Sequence, residues 1–437
     1  MRVLEIGILS PYLLVAVVLA GAVAAPVDAQ VDWPAYAADT ASTKYSPLDQ
    51  IDSSNVDRLE IAWRWKSIDY VAAKAHRRLR VAGVSETTPL KLGERLLYST
   101  GLGVAAAADP ATGRQLWYYD HWSETEGPDR PPNRSRGGAT WSDGDRQRLL
   151  FLAGPELVSV DAETGRIDPS FGRGGRVDML DLGDDESRRD YFWSSPPLVC
   201  GDVVVMGNSE RDAWSRKKNP PGIIRGYDVR SGERLWTFFI IPRQGEPGYE
   251  TWEQGSADYT GAGNVWTWMS CDPELERVYA ATSTPSNDWY GGHRPGMGLF
   301  AESLLSLELR TGELDWHFQA VHHGIWDYDF PCAPVLADVV IEGRPRKIVA
   351  QVSKQAFVYV FDRETGEPIW PIVELPVPAS LVPGEDAWPT QPHPSWPLPF
   401  DLQGLRHDDL IDFTPELRRM ALEYVSQYNL GPLFSPP

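Results

Sequence analysis

Cysteine is scarce in this chain: Cys200, Cys271 and Cys332 are the only three among 437 residues, and they lie far apart. So sparse a set implies no disulfide framework, no Cys-x-x-Cys-His haem attachment, and at least one free, buried thiol. Positive charge is also in short supply. Lys and Arg number 41 against 61 Asp and Glu, for a net charge of −20. Counterion release then works against any phosphate-backbone partner, and a nucleic-acid role is excluded. Long apolar runs are missing everywhere except at the start. There, Arg2 precedes an apolar stretch to about Ala25, followed by small residues and an Ala-ending cleavage pattern before Gln30. This is the layout of a secretory signal over residues 1–29. An uncleaved anchor is the alternative, because the run nearly reaches spanning length. Pro11 inside the run and "VDA" before Gln30 favour cleavage, which places residues 30–437 outside the cytoplasm.

What the chain has in quantity is Trp, at 18, with 38 Gly and 37 Pro. That mixture predicts an all-β protein of many short strands joined by turns. Five segments share an order of apolar residue, acidic residue, two variable positions, Thr or Ser, then Gly. They are "ADPATGRQLW" (108–117), "VDAETGRIDP" (160–169), "YDVRSGERLW" (227–236), "LELRTGELDW" (307–316) and "FDRETGEPIW" (361–370). In four of them a Trp stands four residues after the Gly, at Trp117, Trp236, Trp316 and Trp370; the second copy has Pro169 there. Strand-like runs such as "RLLYST", "ERVYAATS" and "FVYVFD" occur between these segments. Gly supplies the positive φ of a tight hairpin, Asp or Thr bonds the turn backbone, and Trp opens the next strand where it can pack between sheets. One such sheet cannot bury both faces alone, so the unit repeats.

These repeats resemble the tryptophan-docking motifs of the pyrroloquinoline-quinone (PQQ) dehydrogenases, particularly the glucose-dehydrogenase-like branch. The resemblance runs from "DWPAYAADTASTKYSPLDQIDSSNVDRLEIAWRW" (32–65) to "YNLGPLFSPP" at the end. It implies a β-propeller of four-stranded blades, eight in the family. A blade takes about 40–50 residues, so five motifs imply a propeller domain over 30–437 that is incomplete at its C-terminus. "GLGVAA" (101–106) satisfies a dinucleotide-binding fingerprint, but a turn follows within a few residues where a helix is needed, and the motif fails.

The resemblance also assigns roles. "VHHGIWDYDF" (321–330) shows neither strand nor helix periodicity, and it matches the family's His-His-x-x-Trp-Asp-x-Asp run. Asp327 there takes the position of the base that removes the alcohol proton. His323 joins the cofactor-facing set, and Asp329 is expected to be a structural turn partner. Lys354, in "VSKQAFVYVFDRETG", matches the cation that touches the quinone oxygens. Trp266, in "TGAGNVWTWMS", matches the indole beneath the flat cofactor, while Trp268 reads as core. Glu86 and Arg136 match an acid and an arginine set against PQQ, whose three carboxylates suit a guanidinium. For the family's divalent cation, Ca²⁺ or Mg²⁺, the loop "GNSERDAWSRKKNPPG" offers Asn208, Glu210 and Asp212.

These positions imply a periplasmic enzyme oxidising an alcohol or sugar hydroxyl by hydride transfer to PQQ. Electrons would pass to a membrane quinone or a cytochrome c. The alternatives are a non-enzymatic PQQ-repeat propeller scaffold and an inactive dehydrogenase fragment. Beyond the fifth repeat, "PVPASLVPGEDAWPTQPHPSWPLPFD" reads as an irregular cover over the propeller face. "TPELRRMALEYVSQY" reads as a short amphipathic helix with Thr414 as N-cap and Pro415 in its first turn.

Overall fold

The computed structural model describes residues 31–76, 79–81, 85–123, 135–181, 190–210 and 216–436. The expected signal segment lies outside the described residues. Four antiparallel four-stranded sheets follow one another along the chain. The first holds β1 (Leu90–Leu92), β2 (Arg95–Ser99), β3 (Val104–Ala108) and β4 (Gln115–Asp120). The second holds β5 (Ala139–Ser142), β6 (Gln147–Ala153), β7 (Glu156–Asp161) and β8 (Arg176–Asp178). A small ribbon of β9 (Tyr191–Phe192) and β12 (Ser209–Glu210) flanks the third sheet. That sheet consists of β10 (Leu198–Cys200), β11 (Val203–Met206), β13 (Ile223–Asp228) and β14 (Arg234–Phe239). The fourth has β15 (Ser270–Asp272), β16 (Arg277–Ala281), β17 (Ser303–Glu308) and β18 (Leu314–Gln319). A fifth sheet has three strands, β19 (Val335–Ile341), β20 (Arg344–Val352) and β21 (Val358–Asp362).

The core lies in layers between neighbouring sheets. In the fourth sheet, Val278, Ala280, Leu305 and Leu307 face the third, whereas Tyr279, Ala281 and Leu304 face the fifth. Side chains alternate across a strand, and both faces are buried here, so the sequence runs apolar without a polar stripe. The first strand of each sheet lies beside the first strand of the next. Residues 33–41 cross these strands: Trp33 pairs with Lys91, Pro34 O accepts from Thr140 N, Thr40 O from Cys271 N, and Ala41 O from Leu336 N. Cys200 and Cys271, on the adjacent β10 and β15, form a disulfide with Cα atoms 6.3 Å apart, within the usual range. The sparse cysteines thus do supply one bridge, and the remaining thiol, Cys332, is only half-buried.

Four of the five turn segments join a sheet to the one before it, and the first receives Trp63 from the chain ahead of β1. In each, the Gly amide donates to the acidic residue's carbonyl four positions earlier. The glycines hold φ between 68° and 74° (Gly113 68°, Gly165 70°, Gly232 73°, Gly312 71°, Gly366 74°). Trp117, Trp236 and Trp316 lie flat on Gly165, Gly312 and Gly366 of the following sheet, where an added Cβ would stand 2.5, 2.5 and 2.6 Å from the ring. Each indole Nε1 donates to the carbonyl just after the acidic residue: Ala162 at 3.2 Å, Leu309 at 2.9 Å and Arg363 at 3.4 Å. Trp63 docks on Gly113 in the same way, its Nε1 3.0 Å from Pro110 O. At the third turn the residue in the Trp position is Pro169, and a different side chain does the work. Arg148, 1% exposed, donates to Val229 O at 2.6 Å, the equivalent carbonyl. Asp168, next to Pro169, holds that guanidinium at 2.6 Å.

Trp370 is half-buried and docks on no turn among the described residues. The Pro-rich run is less irregular than its composition suggests. Thr390–Pro394 forms β23, paired with β22 (Ile372–Pro376). A ribbon of two edge strands tolerates prolines whose missing N–H faces outward. The run does cover part of the face: Glu385 Oε2 accepts from Gly291 N at 2.9 Å. The C-terminal helix (Pro415–Val425) is capped by Thr414, whose side chain accepts from Leu417 N. Its apolar stripe is largely exposed, with Met420 at 52% and Tyr424 at 65%. No helix among the described residues is long and apolar enough to cross a membrane.

Removing a docked indole leaves a cavity between two sheets. Trp236→Ala is therefore expected to cost about 3–5 kcal/mol in urea unfolding. Trp370→Ala is expected to cost about 1 kcal/mol or less.

Candidate active site

The topology gathers the candidate residues at one end of the sheets. In an antiparallel sheet, the loop entering the first strand and the loop from second to third strand lie at the same end. The Gly turns, joining third to fourth strands, lie at the other. Glu86, Arg136, Trp266, Asp327 and Asp329 all precede first strands. Glu210, Thr284 and Lys354 lie between second and third strands.

The run "VHHGIWDYDF" lies at this end. Lys354 Nζ bridges two carboxylates of that run, 2.9 Å from Asp327 Oδ1 and 3.1 Å from Asp329 Oδ1. Asp329 is 4% exposed and also accepts from Trp266 Nε1 at 2.8 Å. It is therefore the hub of the cluster, not a turn partner. The signal for it was the Asp-x-Asp spacing, which turns both carboxyls toward one cation. Asp327 sits in the left-handed region at φ 57°, a conformation non-Gly residues hold where the surroundings impose it. Burial, then the neighbouring Asp329, pushes the Asp327 carboxyl up to about 7, against the pull of Lys354. Burial opposes the charge on Lys354, but the two aspartates outweigh it and raise the ammonium's pKa.

Arg136 lies with its guanidinium 5.2 Å from the Trp266 ring centroid, pairs with Glu86 at 3.1 Å, and donates to Trp266 O. Ser194 also donates to Trp266 O, at 3.0 Å. Trp268 stacks on Tyr36 at 3.9 Å, which fixes it in the wall. Glu210, 2% exposed, accepts from Asn264 Nδ2 at 2.7 Å and Asn208 Nδ2 at 3.2 Å. Asp212 lies outside the described residues. Among the described residues no three His, Cys, Asp or Glu side chains converge to hold a metal.

His323 is not drawn into this cluster by hydrogen bonding. Its Nδ1 faces Gly296 O at 2.8 Å, and burial, then Arg294, lowers its pKa to about 4. His322 bonds Gln319 and Glu374 instead.

The residues present fit a flat, anionic quinone. An indole face, a guanidinium and an ammonium suit a conjugated polycarboxylate. Two buried polar atoms beside Trp266, Asn264 Oδ1 and Trp268 Nε1, have no hydrogen-bond partner among the described residues. Glu210 with Asn264 Oδ1 offers hard oxygen donors for a divalent cation, which would need further oxygens from the cofactor or water. A cavity of about 800 Å³ lined by Tyr191, Arg216, Lys218 and Phe239 shares no residue with this cluster.

Residues 33–437 match the family model described as PQQ glucose/ethanol/alcohol dehydrogenase, β-propeller domain. The chain belongs to this family. It is 30% identical over 383 residues to the quinoprotein glucose dehydrogenase of Escherichia coli, covering 83% of this chain and 46% of that protein. It is 30% identical over 420 residues to the glycerol dehydrogenase large subunit of Gluconobacter oxydans, covering 93% and 55%. Among solved structures, it is similar to the quinohemoprotein alcohol dehydrogenase of Comamonas testosteroni. That likeness has a TM-score of 0.64 and 26% identity, over 83% of this chain and 52% of that one. The chain spans about half the length of the curated relatives it matches.

Lys354 favours the ionised form of Asp327. Lys354→Met is therefore expected to move the Asp327 titration above about 7, read from the carboxyl bands in infrared pH titration.

Proposed function

We propose that residues 30–437 form the site-bearing propeller domain of a periplasmic quinoprotein dehydrogenase that oxidises an alcohol or sugar hydroxyl. The observation that carries this reading is the Lys354 bridge between Asp327 and Asp329, with Asp329 tied to Trp266. PQQ, when bound, supplies the acceptor for hydride from the alcohol carbon. Trp266, Arg136, Glu86 and Lys354 would hold it. Glu210 and, by resemblance, Asp212 would bind Ca²⁺ or Mg²⁺ beside it, and the electrons would leave to a membrane quinone or a cytochrome c.

The chain's own residues supply proton handling and placement. Asp327 takes the hydroxyl proton, and a carboxyl near 7 is matched to neutral pH. Lys354 holds both aspartates in place and sets positive charge where the oxidant's oxygens gain negative charge. Glu86 restrains Arg136 over the indole, so the guanidinium is ordered before a ligand arrives.

Reconstitution with PQQ and Ca²⁺, followed by dye reduction across an alcohol and sugar panel, tests the reading. Stoichiometric uptake with turnover is expected; absence of both would sink it. Asp327→Asn is expected to keep PQQ uptake and lose turnover by about 10²–10⁴-fold. Full activity in that variant would remove Asp327 as the base. The base acts when ionised, so kcat/KM is expected to rise with pH through about 7 and fall below it.

A further inference from the structure

Thr284 stands between two carboxyl groups. Its hydroxyl lies 2.8 Å from Glu302 Oε1 and 3.4 Å from Asp329 Oδ1, and it has one hydrogen to give. If that hydrogen goes to one carboxyl, the other contact is satisfied only by a proton on the second carboxyl. Asp329 already accepts from Trp266 Nε1 and Lys354 Nζ, donors that suit an ionised group. Glu302 has no such support. It is 1% exposed, and its Oε2 lies so close to Gly324 that a Cβ there would stand 1.7 Å away. Among the described residues it makes no ion pair. The charged groups that bear on it are Arg294, Asp329 and Asp327. Burial dominates and pushes its carboxyl up to about 8; Thr284 and Arg294 pull it down, and the two aspartates add to the rise. In the sequence, Glu302 is the lone charge in the run "GLFAESLLSL".

We infer that Glu302 is a positioning residue for the Asp327–Asp329–Lys354 cluster: its carboxyl proton turns the Thr284 hydroxyl toward Asp329. Asp329 then remains the ionised partner of Lys354, and the proton shared by the two aspartates resides on Asp327. This rests on the reading of Asp327 as base, and it assigns the control of that base to a buried residue one hydroxyl removed from the cluster. Gln at 302 can donate its amide hydrogen to Thr284 as the protonated acid does. Val at 284 cannot pass a hydrogen to Asp329, so the doubly ionised aspartate pair loses a donor and holds its last proton to higher pH.

Infrared spectra of the purified protein, recorded from mildly acid to mildly alkaline pH, test this without turnover. A protonated-carboxyl band that persists at neutral pH and vanishes in Glu302→Gln is expected. A second band, absent in Asp327→Asn, is expected to titrate at the same pH in wild type and Glu302→Gln. In Thr284→Val that second titration is expected about one pH unit higher. A neutral-pH spectrum in which Glu302→Gln removes no protonated-carboxyl band would overturn the inference. So would an unmoved titration in Thr284→Val, a variant of nearly unchanged volume that decides the matter should Glu302→Gln not fold. An inactive but correctly titrating wild type would sink the dehydrogenase reading and leave the Glu302 assignment standing.

Discussion

An indole laid flat on a glycine is the contact from which the rest of this protein follows. It needs a residue with no Cβ and a positive φ on one sheet, and a Trp on the outer strand of the sheet before. The indole N–H finds the one turn carbonyl left facing the neighbour. Sheets locked in this register bring their first strands side by side. The loops entering those strands are then gathered at the opposite end, and side chains separated by as many as 268 positions, such as Glu86 and Lys354, become members of one site. The site is positioned from its far end.

The Arg148 substitution clarifies what the indole contributes. A guanidinium reaches the same carbonyl without the flat ring, but it brings a charge into a place with almost no water. Asp168 must accompany it, because an unpaired buried cation is costly. Trp performs the same hydrogen bond with no counter-ion. That is a physical reason for the prevalence of Trp at these joints in a chain that otherwise carries an acidic surface.

Much of the architecture was legible because the turn motif encodes three requirements at once: an acceptor for the turn amides, a positive φ, and an indole at fixed spacing. The sheets and the junctions made by Trp117, Trp236 and Trp316 could be read directly. Trp63 was missed because its own turn segment does not precede it; its role shows only through Gly113. Arg148 was missed because nothing in "RQRLLF" distinguishes a docking arginine from a surface one. At the candidate site, Asp327, Lys354, Trp266, Arg136 and Glu86 were named from the resemblance, and the structure links them through Asp329 and the Trp266 indole. Asp329 showed only as the second carboxylate of the Asp-x-Asp spacing, and Thr284 and Glu302 carried no signal, because their importance lies in hydrogen bonds that span 18 to 63 positions. His323 carried a motif but spends its ring on Gly296.

The segment that crosses the first strands has a kinetic consequence. Its Ala41 carbonyl meets Leu336 in the fifth sheet, 295 positions further along the chain. A contact of that sequence separation carries a large loop-closure entropy and forms slowly unless intervening structure shortens the path. Here the intervening sheets do so, each fastened to the next by contacts between neighbours in sequence. The strap's hold on the first two sheets, through Lys91 and Thr140, spans far less chain than its hold on the fifth, which is therefore expected to close after the sheets between have assembled.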